Sequence, residues 1–226
     1  MTYNSILFNG CSLCWGDELG NPEEQRYSRK VAEHFGAVDH NISKRGISND
    51  GIARTTMDWL RTNDCDAMVI QFTVTSRLDG YEPNTGKKFE ATTTNGMKLK
   101  VDIDHVDKDP YKCVTVQTPR KWKGFYQRYY HPQLGMDALW KNYYLLEQEC
   151  IRRRIPYCFM THDDWVISEY YLPCIWKDYV DREPRFIWGV PDSDFLLKDH
   201  QKTLPLGHPT IEAHQHLADY IVSVLK

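Results

Sequence analysis

No stretch of this chain approaches the roughly eighteen consecutive apolar residues that a membrane-spanning helix needs, so no span is expected. Positive charge is not in excess either. Lys and Arg number 28 against 31 Asp and Glu, a net charge of -3, which gives no basic field for a nucleic-acid backbone. The N-terminus lacks a charged n-region, an apolar h-region and a small-residue cleavage site; it runs straight into an apolar strand, so a cytoplasmic location is expected. There is no internal repeat and no low-complexity tract. Cysteine is present but odd in number: Cys11, Cys14, Cys65, Cys113, Cys150, Cys158 and Cys174 are scattered and do not suggest the disulfide framework of a short secreted chain. Most are expected to be reduced thiols packed as small hydrophobes.

What is present fits one globular domain of 226 residues, 41% hydrophobic and 13% aromatic, with enough apolar surface for an ordinary core. Residues 4–9 (NSILFN) predict a buried strand. NPEEQRYSRKVAEHFG (21–36) predicts a helix, with Pro22 in its first turn, Val31, Ala32 and Phe35 on one face and Gly36 closing it. Residues 37–43 predict a second strand and 50–62 a second helix. CDAMVIQFTV (65–74) predicts a strand covered on both faces, because its middle is continuously apolar. Between 78 and 133 the character changes to alternating polar and apolar residues, as in MKLKVDIDHV and YKCVTVQT, which predicts an inserted antiparallel hairpin or flap. A long amphipathic helix (136–154), a strand (155–161) and a terminal helix (208–225) complete the chain. Strands alternating with helices imply a parallel sheet covered on both faces, a three-layer α/β/α domain. Sites in such sheets form at the carboxyl ends of strands, which singles out the loops 10–17, 44–50 and 73–79.

Ser12 stands directly after the first strand, where a hydroxyl is exposed beside outward-pointing backbone N–H groups, a geometry suited to a nucleophile. Ser, Gly and Asp are equally ordinary turn residues. A serine nucleophile needs a base. His208, in LPLGHPT at a loop-to-helix junction, is the best placed of the nine His, since Pro209 biases it toward an extended backbone from which the ring projects.

Together these pieces resemble the SGNH hydrolases, or GDSL esterases and lipases. The first block of that family matches NGCSLCWGDEL at Gly10, Ser12 and Leu13, its second-strand glycine matches Gly46 in NISKRGISND, and its His-Pro matches GHPTIEAHQHLADYI. The order and spacing cover nearly the whole chain, with 78–133 as the insertion, and look closest to small SGNH-like proteins encoded by bacteriophages. The resemblance implies a flavodoxin-like fold in which Ser12 attacks an ester carbonyl, His208 takes its proton, and the N–H groups of Ser12 and Gly46 hold the oxyanion. It implies no metal and no cofactor. Cys11 replaces the family's Asp before the serine. Val74, in QFTVTSR, stands in or near the slot of an oxyanion Asn, leaving Thr73, Thr75, Ser76 or Asn49 as substitute donors. Pro205 stands where the triad Asp should lie, three residues before His208. Asp199 is the nearest replacement acid, with Asp194, Asp192 and Asp163 further off, and a Ser–His dyad held by a backbone carbonyl is the alternative.

The implied substrate is a small-molecule or glycan ester, such as an acetyl or other short acyl group, with no nucleic acid and no membrane as partner. Three other readings compete. Cys11 and Cys14, spaced C-x-x-C, could form a redox pair, although no Pro lies between them and no second C-x-x-C or H-x₃-H completes a zinc set. The interleaved basic and aromatic residues of RKWKGFYQR (120–128) could touch nucleic acid. With the Asn and Asp slots altered, the fold could also be a non-catalytic module recognising a sugar or nucleotide through Trp15, Arg77 and the aromatics of 122–132.

Overall fold

In a computed structural model of the chain, the described residues are 2–81, 89–92, 98–101, 111–114, 124–125, 127–161, 185–186 and 208–226. β1 (Ser5–Gly10) and β3 (Ala67–Phe72) are buried along almost their whole length, as their apolar runs predict. They pair in parallel from Ile6↔Ala67 to Gly10↔Gln71. β2 (Val38–Asn41) flanks β1, while β8 (Tyr157–Thr161) flanks β3 and is followed outward by β9 (Arg185–Phe186). The order β2-β1-β3-β8-β9, parallel throughout, is that of a doubly wound sheet. The insertion contributes two small antiparallel pairs: β4 (Leu78–Tyr81) with β7 (Tyr111–Val114), and β5 (Phe89–Thr92) with β6 (Lys98–Val101). Their antiparallel pairing matches the alternation of that segment. The tract 120–128 lies largely outside the described residues.

Alternation along the strands divides the core into two layers. Leu7, Met68, Ile70, Phe72 and Phe159 pack against α4 (Asn49–Leu60) and α5 (Pro132–Arg153). Ile6, Phe8, Val69, Cys158 and Met160 pack on the opposite face, against α3 (Tyr27–Phe35) and α6 (Ile211–Leu225). This is the three-layer α/β/α architecture. The short helices α1 (Ser12–Trp15) and α2 (Pro22–Gln25) belong to the first crossover. The chain moves from β1 outward to β2 and then reverses to β3, so a crevice opens between the carboxyl ends of β1 and β3, where ligands bind such sheets. Among the described residues no helix is long and apolar enough to cross a membrane.

Two helices differ from their sequence expectation, each for a local reason. The helix expected over 21–36 breaks at Arg26, whose backbone is extended at φ -67 and ψ 151. The break lets the Arg26 guanidinium reach Asp39 at 3.0 Å and releases the Tyr27 N–H to the Nδ1 of buried His214 at 3.1 Å. The long helix begins at Pro132, before the expected 136, because the His131 side chain accepts the Gln133 N–H and Pro132 occupies the first turn.

The start of α5 also fixes the loop after β3. A Cβ on Gly135 would lie 2.2 Å from the Thr75 carbonyl oxygen and 2.8 Å from its carbon, so only glycine allows the helix this close. Gly135→Ala is therefore expected to destabilise the fold by about 1–3 kcal/mol, because backbone rather than a flexible side chain must give way. Urea unfolding would measure it, and an unchanged midpoint would show that the helix and loop are not in this contact.

Candidate active site

The site is assembled around one tight turn. β1 delivers Gly10, and the Asn9 side chain behind it is fully buried. Its amide donates to the Ile52 carbonyl (3.0 Å) and to the Thr55 and Thr56 hydroxyls (2.9 and 2.8 Å), while its oxygen accepts the Gly10 N–H. This bolts the strand end to α4. Ser12 then opens α1, half-buried, in a helix start with no capping side chain. The chain folds straight back: the N–H groups of Gly16 and Asp17 both donate to the Ser12 carbonyl, at 3.1 and 2.9 Å. Glu18 follows in the left-handed region at φ 66, an uncommon backbone for a side-chain-bearing residue.

That reversal presents two carboxylates to His208. The imidazole Nδ1 lies 2.7 Å from Glu18 Oε2, and the His208 backbone N–H donates to the same oxygen at 3.3 Å. On the other side of the ring, Nε2 lies 3.8 Å from Asp17 Oδ2, an ion-pair distance only if the imidazole is protonated. Asp17 Oδ1 is gripped by Arg45 at 2.7 Å. Arg45 precedes Gly46, which is exposed and left-handed at φ +69, with open space where a Cβ would be. The same loop is held to β1 by the Lys44 N–H, which donates to the Gly10 carbonyl at 3.1 Å. Ser12, Gly46 and His208 are thus carried by segments that meet at the turn 10–18. Among the described residues no hydrogen bond joins Ser12 to His208 directly, and catalytic hydrogen bonds in unliganded sites often tighten only with substrate in place.

Thr73 and Asn49 are brought together, but with each other. The Asn49 amide bridges the Thr73 backbone, accepting its N–H at 2.7 Å and donating to its carbonyl at 3.1 Å, and both residues are buried. The Thr73 hydroxyl accepts from the Arg77 guanidinium at 2.8 Å. This network fixes the end of β3. Asp199, Asp194, Asp192, Asp163 and Pro205 lie outside the described residues.

The two cysteines flanking Ser12 face different layers. Cys11 packs in the core under α4 and α5, and Cys14 in the core under α3. Both are free thiols, and burial pushes the Cys14 thiol up to about 12, far from the thiolate that redox chemistry requires. Their spacing therefore follows from a turn that enters both cores. No group of three or more His, Cys, Asp or Glu side chains among the described residues is arranged to hold a metal ion.

Glu18 and Asp17 are not recognisable from the sequence as partners of His208. Both stand in plain view in CWGDEL, but His208 lies 190 positions beyond Glu18 and only the left-handed turn aims them at it.

No family model matches the chain, and no curated protein matches it. Among solved structures, the chain is similar to the psychrotrophic esterase EstA from Pseudoalteromonas sp., determined with monoethylphosphonate as inhibitor, at 13% identity and a TM-score of 0.46. That alignment covers 98% of this chain and 96% of the esterase. It is also similar to a lipolytic protein of the G-D-S-L family from Veillonella parvula, at 11% identity and a TM-score of 0.45 over 97% of each chain. A putative lipolytic protein of the same family from Desulfitobacterium hafniense gives 10% identity and a TM-score of 0.48 over 98% of this chain and 99% of that one.

Proposed function

We propose that this chain is a serine hydrolase of the SGNH type that cleaves a small-molecule or glycan ester, releasing an acetyl or other short acyl group. The observation that carries the reading is the 2.7 Å anchoring of His208 to the same short turn that begins with Ser12. An imidazole held through Nδ1 keeps Nε2 available as a base.

In the reaction, Ser12 Oγ bonds to the ester carbonyl carbon while its proton passes to His208 Nε2. The carbonyl oxygen becomes an oxyanion, received by the N–H groups of Ser12 and Gly46. Collapse of the tetrahedral intermediate breaks the carbon–alkoxy bond, and the alcohol leaves with the proton from Nε2. Water then repeats the sequence on the acyl-serine and regenerates the free hydroxyl. At Gly46 the missing Cβ leaves the backbone N–H open to approach. Thr73 and Asn49 enter this scheme as supports that fix the β3 end rather than as direct donors, given their mutual hydrogen bonds and burial. The motif similarity to bacteriophage-encoded proteins suggests a chain that works in the cytoplasm of a host cell.

A fluorophosphonate probe tests the assignment. Wild-type protein is expected to become covalently labelled at Ser12, mapped by peptide mass spectrometry, and to hydrolyse a short-chain p-nitrophenyl ester or an acetylated sugar. Ser12→Ala should do neither. Folded wild-type protein that neither labels nor turns over would leave the other reading, a sugar- or nucleotide-binding module with Trp15 half-exposed beside the turn.

A further inference from the structure

We infer that Glu18 is the positioning acid of His208, so that the nucleophile and the acid that orients its base come from the same turn, with Asp17 and Arg45 tying that turn to the Gly46 loop. The inference rests on the Ser12–His208 reading and adds the group that the Pro205 position cannot supply.

The contact is built from both ends. Glu18 Oε2 receives two bonds from one residue, the ring Nδ1 at 2.7 Å and the His208 main-chain N–H at 3.3 Å. The first fixes how the ring is rotated and which nitrogen carries the proton. The second fixes where its backbone sits. The carboxylate is largely withdrawn from solvent, at 13% side-chain exposure against 17% for the imidazole, so water competes weakly for either group. A surface Glu–His contact would need none of the local architecture seen here. The left-handed φ of 66 at Glu18 is an unfavourable conformation for a residue with a Cβ. It is held by the Gly16 and Asp17 N–H groups returning to the Ser12 carbonyl. The same turn therefore sets the Ser12 backbone and aims the acid.

Asp17 has a different task. At 3.8 Å from Nε2 it lies beyond hydrogen-bond reach, and its other oxygen is held by Arg45 at 2.7 Å. Arg45 draws that carboxylate toward the Gly46 loop and so links that loop to the turn that begins at Ser12. Glu18 acts on the hydrogen-bonded nitrogen, and Asp17 acts on the loop.

The test compares Ser12→Ala, Glu18→Gln, Glu18→Ala and Glu18→Asp with wild type, in turnover of a short-chain p-nitrophenyl ester and in the ¹⁵N spectrum of the His208 ring. Glu18→Gln, which keeps the shape and removes the charge that stabilises the imidazolium, should lower kcat by on the order of 10³–10⁴ with KM changed only a few-fold. Glu18→Asp should recover part of that loss, which a merely structural role would not predict. The ring spectrum of wild type should show the neutral tautomer with the proton on Nδ1, and Glu18→Ala should shift it toward Nε2. Glu18 variants within threefold of wild-type kcat, or a tautomer indifferent to Glu18, would overturn the inference while the serine reading stands. If wild type and Ser12→Ala turn over alike, the serine reading falls, and the ring spectrum still decides whether Glu18 holds His208.

Discussion

Replacing His208 with alanine is expected to cost as much turnover as replacing Ser12, and the double variant should lose no more than either single one. Either change should lower kcat on a short-chain p-nitrophenyl ester by on the order of 10⁵–10⁶, because in the proposed mechanism serine and histidine act as one unit and removing either disables the proton transfer. A residual rate of about 10³–10⁴ over water should survive in all three variants, which the proposed mechanism assigns to the Ser12 and Gly46 N–H groups and to substrate binding. The structural ground is that His208 is fixed to the Ser12 turn by two bonds to a single carboxylate oxygen, so its position is set by that turn. His208 precedes Pro209 outside any helix and is only partly buried, so the alanine variant should keep the fold, which thermal unfolding would check. Losses that multiply in the double variant would mean that the two side chains act independently, and the proton-transfer scheme would then be wrong.

The fold was legible because its signals are local and redundant. The continuous apolar run of β3 announced a strand covered on both faces, and helices alternating with such strands announced a parallel sheet. The rule that sites form at the carboxyl ends of strands singled out the loop after β1, and the reversal from β2 to β3 puts that loop, with Ser12, at the crevice. What escaped was whatever depends on a single dihedral or a distant partner. The break at Arg26 is one residue in an extended conformation within an otherwise helical pattern, stabilised by Asp39 and His214 from elsewhere in the chain. Glu18 is the same kind of case. Its sequence context reads as a polar turn, and only the left-handed backbone and the arrival of α6 make it a partner for His208. Cys11 and Cys14 are the opposite case, a competing reading that the fold removes. A motif spacing suggested a pair, whereas one turn of helix at the edge of a sheet sent the two thiols into separate cores.

Acid should unfold this protein earlier than its carboxylates alone would, and His214 is the cause. The ring is 1% exposed, stacks on Tyr27 with centroids 5.8 Å apart, and accepts the Tyr27 N–H through Nδ1. Its Nε2 is buried without a hydrogen-bond partner among the described residues. Burial first, then the nearby charges of Lys30 and His208, push its pKa from 6.5 down to about 4. Between those values the unfolded chain binds a proton that the native chain refuses, so stability falls as pH drops from about 6.5 and the loss is complete near 4. The full difference amounts to about 3 kcal/mol, a large fraction of a typical domain's stability. Urea unfolding from pH 7 to 4 should show this excess slope in wild type and not in His214→Gln, whose amide oxygen can still accept the Tyr27 N–H. Carboxylate contributions are common to both proteins and cancel in the difference, so parallel curves would refute the assignment. The physical reason the native ring refuses the proton is specific: a proton on Nδ1 would remove the acceptor for the first N–H of α3, so the native ring stays neutral while the unfolded one becomes charged.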